Sequence, residues 1–181
     1  MRLKKSLSNL SHQVATLLLA GAVAAPSWAE RIRFVSVIAP TAEAKLVFAD
    51  GSNRTLSLVQ REGMTSGAGP LASAIMQEWG MHDIVPAQGG ADGAGYLVFT
   101  LANGDKAYLK YQWHAIQVVQ DGKARNLFDG HWGVVGSTGK LVGLQGIGTL
   151  YITPVSATGR QWTFEGELVL NQAITGEKTQ P

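Results

Sequence analysis

Four carboxylates are the acid/base candidates of this sequence: Glu62, Glu78, Asp83 and Asp129. A carboxylate near the mouth of an enclosed site can move a proton or stabilise a developing cation, as an isomerase or a cyclase requires. The competing interpretation is that these side chains are simply solvated, as most carboxylates of a small domain are. The sequence leaves both interpretations open, and no catalytic residue is assigned.

Three histidines follow the N-terminal segment, at positions 82, 114 and 131. They lie in separate segments, without the close i, i+2 or i+4 spacing that prearranges a metal site. In a strand, the adjacent side chains of His82 and Asp83 would face opposite sides. We therefore predict three independent histidines at the surface or at the rim of the domain. No metal site and no cofactor is predicted.

The segment Gly136–Lys140 is superficially similar to a phosphate-binding loop. The Walker pattern requires a glycine five residues before its Gly-Lys pair and a Ser or Thr after the lysine. Here those two positions hold Val134 and Leu141, and no helix is predicted to follow. These mismatches exclude a Walker-type nucleotide site.

Five aromatic residues form the candidate ligand-contacting set: Tyr111, Trp113, Trp132, Trp162 and Phe164. Rings that point into a barrel either fill it or line a cavity for a ligand. Filling is the commoner outcome. A ligand cavity is therefore a hypothesis that coordinates can test.

Strands in which apolar and polar residues alternate must position these rings. In the predicted strand 106–119, the apolar face has Ala107, Leu109, Tyr111, Trp113 and Ala115, whereas the opposite face has Lys110, Gln112 and His114. Residues 160–170 alternate in the same way, and turn signals such as Asn103-Gly104 and Asp121-Gly122 separate the strands. Several such strands without intervening helices predict an all-β, antiparallel sheet closed into a barrel, which leaves no exposed edge.

The first part of the domain is harder to interpret. Residues 32–38 are predicted as a strand that Pro40 ends, and residues 45–48 and 55–59 as a hairpin around Asp50-Gly51. Within residues 70–79, an apolar stripe after Pro70 is compatible with one short helix. The alternative is a pair of strands over residues 75–79 and 81–85. Such short windows do not decide between the two.

Residues 1–29 have the order of a secretory signal peptide, with a basic start, an apolar middle and a small-residue end. Cations at positions 2, 4 and 5 precede Val14–Ala25, which has no ionisable group and is shorter than the roughly 20 residues that span a bilayer. Pro26 then breaks the apolar segment. We predict cleavage between Ala29 and Glu30, a periplasmic or secreted protein, and no permanent membrane anchor. A buried core helix would not need all of these features together.

Removal of the signal changes the charge balance. It takes three of the 15 basic residues and none of the 13 acidic ones, so the remaining chain has a net charge of −1. A nucleic-acid-binding function thereby loses its electrostatic support, and no nucleic-acid partner is predicted. The sequence has no cysteine, which excludes disulfides, thiol catalysis and Cys-ligated zinc. Residues 30–171 are expected to form one domain, and residues 172–181 a polar tail.

Three glycine-rich segments carry a family resemblance: Gly136–Leu141, Gly143–Leu150 and Phe164–Glu167, with Gly95–Thr100 and Asn103–Lys106 upstream. They resemble the G-G-T-G-K-F, G-x-G-T and E-G pattern of exported bacterial allene-oxide-cyclase-like barrels, which are related in shape to dirigent proteins and broadly to lipocalins. The sequence departs from the pattern at Ser137, where the family usually has glycine. The resemblance implies an eight-stranded, lipocalin-sized barrel with an apolar lumen, and most bacterial members have no assigned activity.

Three functions are compatible with this sequence. The leading hypothesis is an exported barrel that binds a small, mainly apolar molecule. The alternatives are an isomerase or cyclase of the same shape, by analogy only, and a solid barrel whose outer face meets a partner. The oligomeric state is not predicted.

Overall fold

The computed structural model describes residues 29–171, and these form one closed antiparallel barrel of eight strands. The strands are β1 (Glu30–Val47), β2 (Thr55–Gly67), β3 (Ile75–Val85), β4 (Gly90–Thr100), β5 (Lys106–Gln120), β6 (Lys123–Ser137), β7 (Leu144–Pro154) and β8 (Arg160–Leu170). Each strand pairs with the next along the chain, and β8 pairs with β1. The predicted closed all-β barrel is thus confirmed. The predicted signal sequence up to residue 28 and the predicted tail 172–181 lie outside the described residues.

Alternation and turn chemistry explain the barrel. Along β5, Ala107, Leu109 and Tyr111 are buried, whereas Lys110 and Gln112 are exposed, as predicted. The β5–β6 turn has positive φ at both Asp121 (53°) and Gly122 (71°), the backbone that a tight hairpin between twisted strands requires. Between residues 29 and 171, no helix is long and apolar enough to cross a membrane.

One detail of the prediction is wrong, and one alternative that the sequence left open is decided. Pro40 does not end β1, because a register shift between Pro40 and Ala42 accommodates it and the strand continues to Val47. Proline is tolerated at bulges and on edge strands, and pairing of β1 with β8 already stops at Ile38. Residues 70–79 contain no α-helix: a turn at 70–73 leads into β3, so the strand alternative is correct, with one continuous strand.

One half of the barrel is filled by side chains. Phe164 stacks on Phe34 at 4.7 Å between ring centroids, and Phe99 and Trp132 lie within 6.4 Å of it. The indole of Trp132 is accommodated by Gly148, where a Cβ atom would lie 2.6 Å from its Cζ2. This half is therefore solid core, consistent with a folding role for the glycine-rich motif.

The other half opens between β6 and β7. Their ladder contains only the register pairs His131–Thr149, Trp132–Gly148 and Gly133–Ile147. Residues 123–130 of β6 pair with β5 but not with β7, and the β1–β2 hairpin extends beyond the last pair of β1 with β8. The barrel mouth lies between these extended strands.

Candidate functional site

A cavity of about 670 Å³ occupies the barrel mouth, between the diverging parts of β6 and β7. Its wall is mainly aromatic and aliphatic, with three basic side chains and no carboxylate: Arg61, His82, Ile84, Trp113, Ala115, Asn126, Leu127, Phe128, Tyr151, Ile152, Thr153, Pro154, Arg160 and Trp162. Trp113 stacks on Phe128, with ring centroids 5.6 Å apart. This volume is in the usual range for small-molecule sites.

A buried polar cluster adjoins this cavity, centred on Glu78 of β3. The Glu78 side chain is fully buried, and its Oε2 accepts a hydrogen bond from Nη1 of Arg61 at 2.8 Å. Its Oε1 lies 2.9 Å from Nε2 of His82 and accepts a hydrogen bond from the Tyr111 hydroxyl. Gly80 allows this approach, because a Cβ there would lie 2.1 Å from the Tyr111 hydroxyl oxygen. Three partners therefore compensate the burial of one carboxylate.

The cluster shifts two pKa values in opposite directions. Burial disfavours the charged form of Glu78, but hydrogen bonding to His82 and the positive charge of Arg61 outweigh it and hold the pKa of the carboxyl below its ordinary value. Burial, followed by the negative charge of Glu78, raises the pKa of the Tyr111 hydroxyl. Glu78 is therefore ionised and Tyr111 neutral at pH 7.

Of the four candidate carboxylates, only Glu78 lies inside the barrel. Glu62 is exposed and accepts a hydrogen bond from Gln77. Asp83 lies on the outer face and pairs with Arg54. Asp129 is also on the outer face, 3.0 Å from His131. The structure brings two of them to one place: Asp83 and Asp129 both line a pocket of about 460 Å³ on the outer face, which also contains His114 and His131, whereas Glu62 and Glu78 lie elsewhere.

The three histidines are divided between the outer and the inner face of the barrel. His114 and His131 are on the outer surface, each beside an aspartate. His82 differs from the prediction of a surface or rim residue, because it faces inward and is only 6% exposed. Within residues 29–171, no three His, Cys, Asp or Glu side chains are grouped to hold a metal ion.

The candidate aromatic set divides between the two halves of the barrel. Trp113 and Trp162 line the cavity, whereas Tyr111 lies behind its wall, packed edge-on against Trp162 and hydrogen-bonded to Glu78. Trp132 and Phe164 belong to the filled half. The spacing predicted an inward position for all five, but not which of them remain beside open space.

Sequence reasoning missed the basic residues of the wall. Arg61 continues the inward alternation of Ser57 and Val59 on β2, and Arg160 continues that of Trp162 and Phe164 on β8. The position of each arginine in the inward-facing alternation of its strand was the signal that could have identified it. An arginine at such a position is usually assigned to solvent.

Solved structures similar to this chain include three of proteins of unknown function. One, from the DUF3224 family of Shewanella oneidensis MR-1, has 19% identity and a TM-score of 0.44, over 77% of this chain and 96% of that protein. One from Clostridium acetobutylicum has 12% identity and a TM-score of 0.46, over 77% and 98% of the two chains. One from Rhodopseudomonas palustris has 12% identity and a TM-score of 0.46, over 79% and 99%. No protein-family model and no curated protein matches the sequence.

Proposed function

We propose that this protein is exported and binds a small, mainly apolar molecule in the mouth of its barrel. The observation that carries this proposal is the 670 Å³ cavity, whose wall includes Trp113, Phe128 and Trp162. A wall of rings and aliphatic side chains with a few polar groups is typical of small-molecule sites. The gap between β6 and β7 gives such a molecule a route inward.

Binding without chemistry accounts for the polar cluster better than proton transfer does. A general base works best with a pKa near the working pH, whereas the pKa of Glu78 is lowered and that of Tyr111 is raised. Glu78 also accepts hydrogen bonds from several partners and does not line the cavity. The cluster therefore serves to hold Arg61 and His82 in the wall.

Export is the second part of the proposal. It is supported by the basic start, apolar middle and small-residue end of residues 1–29. The resemblance of the glycine-rich segments to the exported allene-oxide-cyclase-like barrels supports the same location.

Filling the cavity tests the binding proposal. We expect Ala115→Trp to weaken binding of the neutral fluorophore N-phenyl-1-naphthylamine at least about tenfold, since Ala115 lines the cavity and an indole there would occupy the space of the probe. Titration followed by probe fluorescence measures the affinity.

The matched control is Ile116→Trp, one residue further along β5. Ile116 is 40% exposed and does not line this cavity, so its substitution is expected to leave the affinity within about twofold. Equal affinities of both variants and the unmodified protein would place the probe elsewhere and overturn the proposal.

A further inference from the structure

The charged groups in the wall of the cavity are all of one sign. Arg61 and Arg160 line it, and no aspartate or glutamate does so. The charge of Arg61 is balanced by the buried Glu78. Arg160 donates only to the backbone carbonyl oxygens of Ser156 and Gly159, and within residues 29–171 no carboxylate lies in ion-pair distance of it. The mouth therefore carries an excess positive charge.

The strand register brings the two arginines together. β2 and β8 flank β1, and Arg61 lies opposite Pro40 while Arg160 lies opposite Ile38. Pro40 and Ile38 are two residues apart on β1. Both arginines occupy inward positions of their strands, and both side chains line the same cavity.

Hydrogen-bond donors in this wall lack acceptors. In the described part of the chain, Nε of Arg61 and Nε1 of Trp162 are buried and make no hydrogen bond. Nε1 of Trp113 is also unpaired, but it packs against Gly93, where a Cβ would lie 2.4 Å from it. Leaving a buried donor unpaired costs free energy. A ligand oxygen would recover it only with a shift of these two side chains, because both N–H groups are sealed from solvent in the empty cavity.

We propose that the cavity selects an apolar carboxylic acid, with the carboxylate between Arg61 and Arg160 and the apolar body against Trp162 and Phe128. Arginine presents a planar fork of donors that matches a carboxylate. The aromatic part of the wall accepts the rest of the molecule. This inference rests on the proposed binding function and specifies its ligand class.

Two probes of nearly equal shape test the selection. At pH 7, 1-naphthaleneacetic acid is expected to displace N-phenyl-1-naphthylamine at a concentration about tenfold or more below that of 1-ethylnaphthalene, which has no oxygen. In the Arg160→Met variant, the affinity for the acid is expected to fall about tenfold, while that for the hydrocarbon stays within about twofold. The hydrocarbon also shows that the variant is folded.

Lys110→Met is the matched control, because Lys110 is an exposed cation that does not line this cavity. It is expected to leave both affinities unchanged. Equal affinities of the acid and the hydrocarbon, or an acid preference that survives Arg160→Met, would overturn the inference and leave apolar binding standing. Failure of both probes and of the fluorophore to bind would overturn the proposed function as well.

Discussion

We expect Glu78→Gln to lower the free energy of unfolding by about 3–5 kcal/mol, because it leaves Arg61 as a mostly buried cation without its counter-charge. The Arg61 side chain is 14% exposed and that of Glu78 is fully buried, so water replaces the lost interaction only in part. Urea unfolding followed by tryptophan fluorescence measures the change.

Glu62→Gln is the control for this variant. Glu62 faces Gln77 in the register pair next to Arg61 and Glu78, but it lies on the exposed side of the sheet. Its substitution is expected to change stability by no more than about 0.5 kcal/mol. A similar small change for both variants would contradict the assigned role of Glu78.

The same variant has a pH signature. Because the pKa of Glu78 is lowered in the folded protein, its ionised form stabilises the fold above the ordinary carboxyl pKa of 4.5, and this contribution is lost as the pH falls through the folded value. We therefore expect the stability of the unmodified protein to fall more steeply below about pH 4.5 than that of Glu78→Gln. Asp83, whose pKa is lowered by Arg54, leaves some acid dependence in the variant.

Phe164→Ala is expected to cost about 3–5 kcal/mol, because it removes the centre of the filled half of the barrel. The ring of Phe164 contacts those of Phe34, Phe99, Trp132 and Trp162, and it is fully buried. The surrounding rings are held by separate strands and can close the resulting space only in part. Unfolding in guanidinium chloride measures this loss of stability.

An aromatic residue on the outer face provides the comparison for Phe164. Tyr96 of β4 is 51% exposed, and Tyr96→Ala is expected to cost less than about 1 kcal/mol. If Phe164→Ala were equally mild, the two halves of the barrel would not differ as described, and the position of the cavity would be in question.

The barrel itself could be predicted from the sequence because its signals are local. Alternation over residues 106–119 and 160–170 sets which side chains face inward, and Asp121-Gly122 fixes a reversal. These features depend on the pleat and on turn geometry, which act over a few residues. The structure confirms the inward faces of these strands and the reversal at Asp121-Gly122.

The site could not be predicted because its residues depend on distant pairings. In residues 70–79, the stripe that includes Ile75 and Trp79 is compatible with a helix, yet these two residues face outward from β3 while Met76 and Glu78 face inward. Only the ladders with β2 and β4 decide this. Identifying Glu78 as the buried one of the four candidate carboxylates therefore required the strand pairing of the whole sheet.

The cavity could not be predicted from the sequence either. It exists because β6 and β7 pair over a short ladder and then diverge, and no single residue marks that divergence. The five candidate rings share an inward position, but only Trp113 and Trp162 line the cavity, and Trp162 also belongs to the same buried core as Trp132 and Phe164. Sequence periodicity indicates to which side of the sheet a residue points, whereas the volume of a cavity depends on the positions of all the strands.

The most direct test of ligand binding in the barrel mouth is a ¹⁵N–¹H NMR titration of the indole N–H signals with N-phenyl-1-naphthylamine, assigned through single Trp→Phe variants. We expect the signals of Trp113 and Trp162 to shift with saturation, while those of Trp79 on the outer face and Trp132 in the filled half stay in place. Shifts confined to Trp79, or no shift at all at saturating probe, would contradict a binding site in the mouth.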